Sequence, residues 1–452
     1  MRDMLGRRPL LVLGAGLVVG LTALAHPINL LFSLVFLAWA ESKNARIWLG
    51  IGLIFGLILA PPDLNSIFER MPVHGSATVV GIPKVGEYGT TVNMELAGRT
   101  WRATLADCPT VGLGDRIEVD GVGLPLREGS ERFLLLHGVT GRLQVREAHL
   151  LEPGPRLWQY AASWRHSFSD LTAKWLPPES AALTQALCFD LNGELDPKTT
   201  DRLRQTGTIH VVSASGLHVF LIAASLMGLL SLLPIPRGAQ VLLVGLLLTM
   251  YAGATGLSPP VVRAVLMSIV GLSAYLFRRE RDALSALAFA GVIYLLWQPR
   301  QVYDPGFQLS FVTVGAMALF LHRRPKRHLA REKLEEALWV SWVAFLASTP
   351  LVAYHFGGVS LSALPANLLV ALPVSVAVIS AFLAQILGWI LPALGVGILS
   401  CVTGPMSGAV LWLVEHLSGP GWYFEVPGFS AYLLPLFYGL LLLTWRQRIV
   451  HP

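Results

Sequence analysis

The chain has 452 residues, of which 54% are hydrophobic and only 14% charged, and its mean hydropathy is +0.58. Those values exclude an ordinary soluble enzyme or a disordered chain and identify an integral membrane protein. The formal charge of +6 says little by itself, because cytoplasmic loops of multi-span proteins are basic in any case. Cys108, Cys188 and Cys401 stand apart without metal-ligand spacing, so they support neither a zinc site nor a disulfide framework.

In chain order, the first apolar stretches are Leu10 to Ala25, Ile28 to Ala40 and Ile47 to Ala60. Each is short for a span, which needs roughly 17 to 25 residues. No small-residue cleavage pattern follows the first, so it reads as a retained helix. Arg7, Arg8, Lys43 and Arg46 place their flanks in the cytoplasm by the positive-inside rule, and the chain emerges outside after Ala60. Residues 1–62 therefore form an N-terminal transmembrane segment.

Across 68–152 the pattern changes to short alternating runs such as "GSATVVGIP", "GTTVNMEL", "RTWRATL", "GDRIEVDGVG" and "GRLQVREAHLL". Five or six strands at this spacing predict a small extracytoplasmic β-barrel, best matched by an OB-like Greek key. Its acids are at least as numerous as its bases. Exposed aromatic candidates are few beyond Tyr88, Trp101 and Phe133, so a spacer or docking role stands beside DNA binding.

Residues 153–207 form a connector that contains an amphipathic helix. Leu157, Tyr160, Trp164, Phe168, Leu171 and Trp175 recur three or four apart, with Arg165, His166, Asp170 and Lys174 elsewhere around the wheel. The apolar face either lies on the membrane surface or packs as core.

Apolar segments return over 208–448, separated by breaks that contain Arg237, Arg278, Arg279 and Arg281, Arg323 through Lys333, and Arg446 and Arg448. All of these fall inside if the chain enters from outside at Thr208. The expected architecture is a polytopic α-helical membrane protein of about twelve spans, both termini cytoplasmic, with the β domain inserted outside. Pro373 and Pro392 mark kinks, re-entrant turns or helix boundaries.

Polar residues cluster where these helices begin. "TIHVVSASGLHVF" carries His210, Ser213, Ser215, Gly216 and His218; on one helix His210, Ser215 and His218 share an arc of roughly 140°. For serines alone, close helix packing would explain the pattern. Two histidines beside them favour a polar pathway, because ionisable groups are costly in lipid. Ser and His also suggest an intramembrane hydrolase, but no acid stands near them in sequence to orient a base. Two histidines without a third ligand make no metal site, and no cofactor is expected. "GATGLSPPVVRAVL" places a Gly and Pro break before Arg263, "DPGFQLSF" supplies Asp304, Gln308 and Ser310, and "LPANLLVALP" supplies Asn367. Arg263 either snorkels to the outer interface or faces a carboxylate or polyanion. Together these residues suit a conduit for a polar solute.

"TGTIHVVSASGLHVFLI", "GATGLSPPVVRAVLM", "DPGFQLSFVTVGAMALF" and "PANLLVALPV" resemble, in order, four blocks of the ComEC family, the inner-membrane DNA channel of natural competence. "CFDLNGELD" departs from that family's usual glycine placement. The resemblance implies a plasma-membrane channel, not an enzyme, that passes single-stranded DNA amid membrane lipids. A separate DNA receptor and a cytoplasmic translocation factor are expected as partners, and the unit is either a monomer or a homodimer. Longer family members end in a metallo-β-lactamase-like domain. This sequence holds no His-x-His-x-Asp-His cluster, so it is expected to be either a short form served by a separate nuclease or a member whose transport role has drifted. The alternative is a transporter or binding protein for another polyanion or an envelope component.

Overall fold

The structure, a computed structural model, describes residues 9–23, 49, 51–54, 56, 70–86, 89–105, 111–126, 134–135, 138–191, 195–212, 216–276, 283–321, 330–419, 421–426, 428–430, 433–434, 437–438 and 440–441. The stretch Ile28 to Ala40, the aromatics Tyr88 and Phe133, and Cys108 lie outside them.

The elements in chain order begin with α1 (Pro9–Ala23), β1 (Met71–Val79), β2 (Lys84–Gly86), β3 (Gly89–Leu96), β4 (Arg99–Leu105), β5 (Arg116–Leu124) and β6 (Val139–Glu152). Next come α2 (Arg156–Trp175), α3 (Pro178–Phe189), α4 (Pro197–Gln205), α5 (Ile209–Val212), α6 (Gly216–Ser231), α7 (Arg237–Ala254), α8 (Pro259–Leu276) and α9 (Ala283–Trp297). After the 3-10 turn Pro299–Tyr303 follow α10 (Pro305–Leu321), α11 (Ala330–Phe356), β7 (Gly358–Ser360) and α12 (Ala363–Ile390). The last are α13 (Pro392–Ile398), a π-helical turn (Leu399–Thr403), α14 (Gly404–Leu417) and β8 (Tyr423–Glu425). The chain divides into two compact units, Met1–His166 with Arg237–Asp304, and Ser167–Pro236 with Pro305–Pro452.

In the first unit the alternating runs form a six-stranded sheet in the order β1-β5-β6-β4-β3-β2, and β3 also pairs back onto β1 through Thr78↔Glu95 and Val79↔Met94. Five strands thus close on themselves. Every pairing is antiparallel except β4 with β6. Alternation sends Val92, Met94, Trp101, Ala103, Ile117, Val119 and Leu143 into one core. Trp101, expected outside, is 2% exposed. Its ring needs the space that glycines leave: a Cβ at Gly123 would lie 2.7 Å from the indole and one at Gly141 2.8 Å. Gly141→Val should therefore overpack this core at a cost of ~1–3 kcal/mol. A lower urea concentration for protease cleavage of the β domain in the full chain would register it; an unchanged midpoint would refute the packing argument. Asp115 closes the barrel's exit, accepting from the N–H groups of Gly112 and Gly154, both at 2.6 Å.

The same unit joins this barrel to helices. Gly256 and Leu257 adopt left-handed φ of 71° and 55°, which turns the chain before Pro259 opens α8. A Cβ on Gly256 would fall 2.6 Å from Ile82, so the turn abuts the barrel. Arg300 donates to the Gly138 carbonyl at 3.4 Å, and the Tyr303 hydroxyl donates to the Leu21 carbonyl at 3.1 Å. Gly16 meets Leu49 and Gly52 meets Leu13 at their backbones, the close approach that small residues allow between helices.

The second unit is helical apart from the β7/β8 pair. Phe168 packs on Phe189 and Phe382 at ring distances of 4.9 and 6.1 Å. Buried hydroxyls pair between helices, Thr184 with Ser407 at 2.8 Å and Ser380 with Thr403 at 2.9 Å, which satisfies polar groups in an apolar bundle. Four described helical stretches are long and apolar enough to cross a membrane: Arg237–Ala254 in the first unit, and Glu335–Phe356, Ala363–Ile390 and Pro392–Leu417 in the second. Pro373 lies within continuous α12, while Pro392 starts α13.

Helix α2 corrects the expected stripe. Tyr160 and Trp175 are exposed, whereas Ala161, Trp164, Arg165, Phe168 and Thr172 are buried. These recur at helical spacing, so the face that packs is rotated from the aromatic count. Trp164 meets Tyr251 edge-on at 6.3 Å in the first unit, and Phe168 belongs to the second. The core reading holds for the buried face, and burial lowers the Arg165 guanidinium from its ordinary value. His166 is exposed, as expected.

Candidate functional site

The histidine segment sits at a corner built from small residues. Gly207 has φ of 68°, and a Cβ there would lie 2.7 Å from Ala363. Only glycine accepts both the conformation and the contact. Ser360 donates to the Gln205 carbonyl at 2.6 Å and pairs with Ser362 at 3.0 Å, while Thr206 and Thr208 pair at 2.7 Å. The turn that carries His210 is thereby clamped to the start of α12, where Asn367 stands one turn on. Two sequence blocks more than 150 residues apart meet here, as the 155-residue separation of Ser360 and Gln205 records.

Within this corner His210 is exposed, and its Nδ1 donates to the Gly207 carbonyl at 3.0 Å. His218 is 1% exposed, hydrogen-bonds the backbone of Leu187 in α3 and couples electrostatically to His210. Gly216, the first residue of α6, is exposed. Ser213 and Ser215 lie outside the described residues. Asn367 is half-buried, and its Oδ1 has no hydrogen-bond partner among the described residues.

Gln308, in the first turn of α10, has its Oε1 2.8 Å from Nε2 of His355 in the last turn of α11. The ring nitrogen donates. Ser310 is half-buried on the same helix. His355 was missed in sequence; a histidine directly before the "FGG" break, at a span's end, was the available signal.

The first unit holds the other pair. Arg263 is 2% exposed and Asp304 4%, and the two interact electrostatically. The guanidinium carbon lies 5.9 Å from the centroid of the Tyr294 ring, itself 1% exposed. Arg263 therefore lies buried over an aromatic ring, within electrostatic reach of a carboxylate, rather than snorkelling to water. Tyr294 was also missed, because a tyrosine within an apolar span reads as ordinary core. Asp304 directly precedes Pro305, the first residue of α10. Among the described residues no group of three or more His, Cys, Asp or Glu is placed to hold a metal ion.

The family described as Competence protein matches residues 187–448, a span that contains all of these groups. ComE operon protein 3 of Bacillus subtilis (strain 168) is 31% identical over 209 residues, 46% of this chain and 26% of that protein. Competence protein ComA of Neisseria gonorrhoeae is 30% identical over 282 residues, 58% of this chain and 38% of that protein. An uncharacterized protein of Aquifex aeolicus (strain VF5) is 35% identical over 148 residues, 33% of this chain and 34% of that protein. The matched regions thus cover no more than 38% of the length of these relatives. No solved structure matches.

Proposed function

We propose, for a chain that belongs to the competence protein family, that it forms a multi-pass plasma-membrane conduit through which single-stranded DNA passes inward. The observation that carries this reading is where the four polar blocks fall: each leads into a helix start, at Gly216 of α6, Pro259 of α8, Pro305 of α10 and Ala363 of α12. The positive-inside rule puts all four starts outside. A helix N-terminus bears unpaired N–H groups and partial positive charge, which favour phosphates. The likeness to competence proteins selects DNA among the polyanions these ends would attract.

Contacts within the first unit support that orientation. The Gly256 turn and Arg300 both touch the β domain, and Tyr303 reaches the end of α1 at Leu21. These are the ends that charge placement puts outside, with both termini then cytoplasmic and about twelve crossings in all. The strand circuit also supports an OB-like barrel at the entrance: five strands closed by β1 on β3, with β4 parallel to β6. A surface DNA receptor and a cytoplasmic translocation factor complete the reading as partners. The chain itself binds and guides; it carries no chemical step.

Disruption of the gene in a transformable host tests this. DNA capture at the cell surface should persist while recovery of a chromosomal marker is lost. Unchanged recovery would overturn the proposal.

A further inference from the structure

On the outer face of the β domain, strand register sets Arg102 of β4 opposite Arg142 of β6, and Asn93 of β3 opposite Arg102. Inward neighbours Trp101, Ala103 and Leu143 fix the parity, so these three side chains point outward together. Like charges placed directly opposite destabilise a sheet. The diagonal neighbour Glu95, opposite Thr100, forms no ion pair with either arginine among the described residues. Arg102 makes no ion pair or hydrogen bond there, its Nε is buried without a partner, and so is Oδ1 of Asn93 beside it. Arg142 donates only its Nε, to the Pro125 carbonyl at 3.1 Å.

We propose that this face, centred on Arg102 and Arg142, is a phosphodiester-binding strip for the single strand, an inference that rests on the uptake reading. Two guanidiniums a strand spacing apart can each fork onto phosphate oxygens. The described neighbours on this face are Thr91 and Glu95 of β3, Thr100 and Thr104 of β4, Gln144 of β6 and Val122 and Leu124 of β5, so it carries one carboxylate beside the two arginines and no aromatic side chain to stack a base. The strip therefore grips backbone and ignores sequence. Its position suits an approach to the membrane: Arg300 bonds Gly138, four residues before Arg142 on the same stretch, a span of roughly 13 Å at strand rise. Burial lowers the Arg102 guanidinium from its ordinary value, in keeping with a group partly withdrawn from water.

The test uses the purified full chain in detergent and a fluorescent oligo-dT, with R102Q, R142Q and the double variant. Removing a like-charge pair from an exposed sheet face should not unfold the domain, and equal thermal melts would establish that. The double variant should bind on the order of tenfold more weakly at about 50 mM salt, and its salt slope should fall by about 1.4. The R102K/R142K variant should keep most of the slope. Unchanged affinity and slope in the double variant would overturn the strip, as would a loss confined to phosphatidylglycerol vesicles, which would assign a lipid ligand instead. The two readings fail separately. If disruption of the gene leaves marker recovery intact while R102Q/R142Q still loses oligo-dT, uptake falls and the strip stands. If disruption abolishes recovery while the double variant binds and transforms normally, the strip falls and uptake stands.

Discussion

Replacing Arg263 with methionine should remove most of the protein from the membrane fraction. The side chain is 2% exposed, coupled to Asp304, and lies over Tyr294. Taking away one of two opposite buried charges leaves the other less compensated, a cost bounded by the ~3–5 kcal/mol of breaking a buried ion pair. That is comparable with the whole stability of many domains. Arg263→Met with Asp304→Asn removes both charges and should restore much of the protein level. Arg263→Lys should fall between, because a point charge cannot reproduce the planar contact with the ring. Immunoblots of membranes and melting of the detergent-solubilised chain would read these differences. If R263M accumulates and melts as the parent does, the coupling argument is wrong. Marker recovery in the double variant decides the role: full recovery makes Arg263 a positioning group for α8, and absent recovery at normal protein level makes the charge part of the conduit.

His218→Leu is expected to have the second large effect. The imidazole ties α6 to the Leu187 backbone and is buried, so leucine leaves that backbone group without its partner at ~1–3 kcal/mol. His218→Asn keeps a hydrogen-bonding group of related size but carries no charge near neutral pH. Loss of marker recovery in both variants, at normal membrane levels, would assign the ring or its charge to transport. Loss in leucine alone would assign polar satisfaction within the bundle. If His210→Leu and His218→Leu both transport normally, the histidine corner is structural and the pathway runs elsewhere.

Local chemistry was legible in the sequence. Alternation of side chains located the strands of the β domain, and Gly and Pro breaks located the starts of α8, α10 and α12. These features depend on backbone preferences over a few neighbouring residues, and no distant contact has to be known. The order of polar helix starts was legible for the same reason, and with it the family.

Only the tertiary structure placed Trp101 inside the barrel, because that depends on Gly123 and Gly141 from two other strands leaving room for its ring. It rotated the buried face of α2, since Arg165 packs inside while Tyr160 and Trp175 stay exposed. Gln308 found His355, and Arg263 found Asp304 and Tyr294, across intervals over which sequence spacing carries no information. Arg102 and Arg142 became a pair through a parallel register between strands 40 residues apart, a separation also spanned by the Thr140 to Thr100 bond. The starts of α8, α10 and α12 are set by each segment's own Gly and Pro residues, so the sequence determined them alone, whereas the described residues of the histidine segment, read as one helix, fall in two, α5 and α6. The partner of each polar group is set by which segments pack together, and that choice is made by the burial of the whole chain.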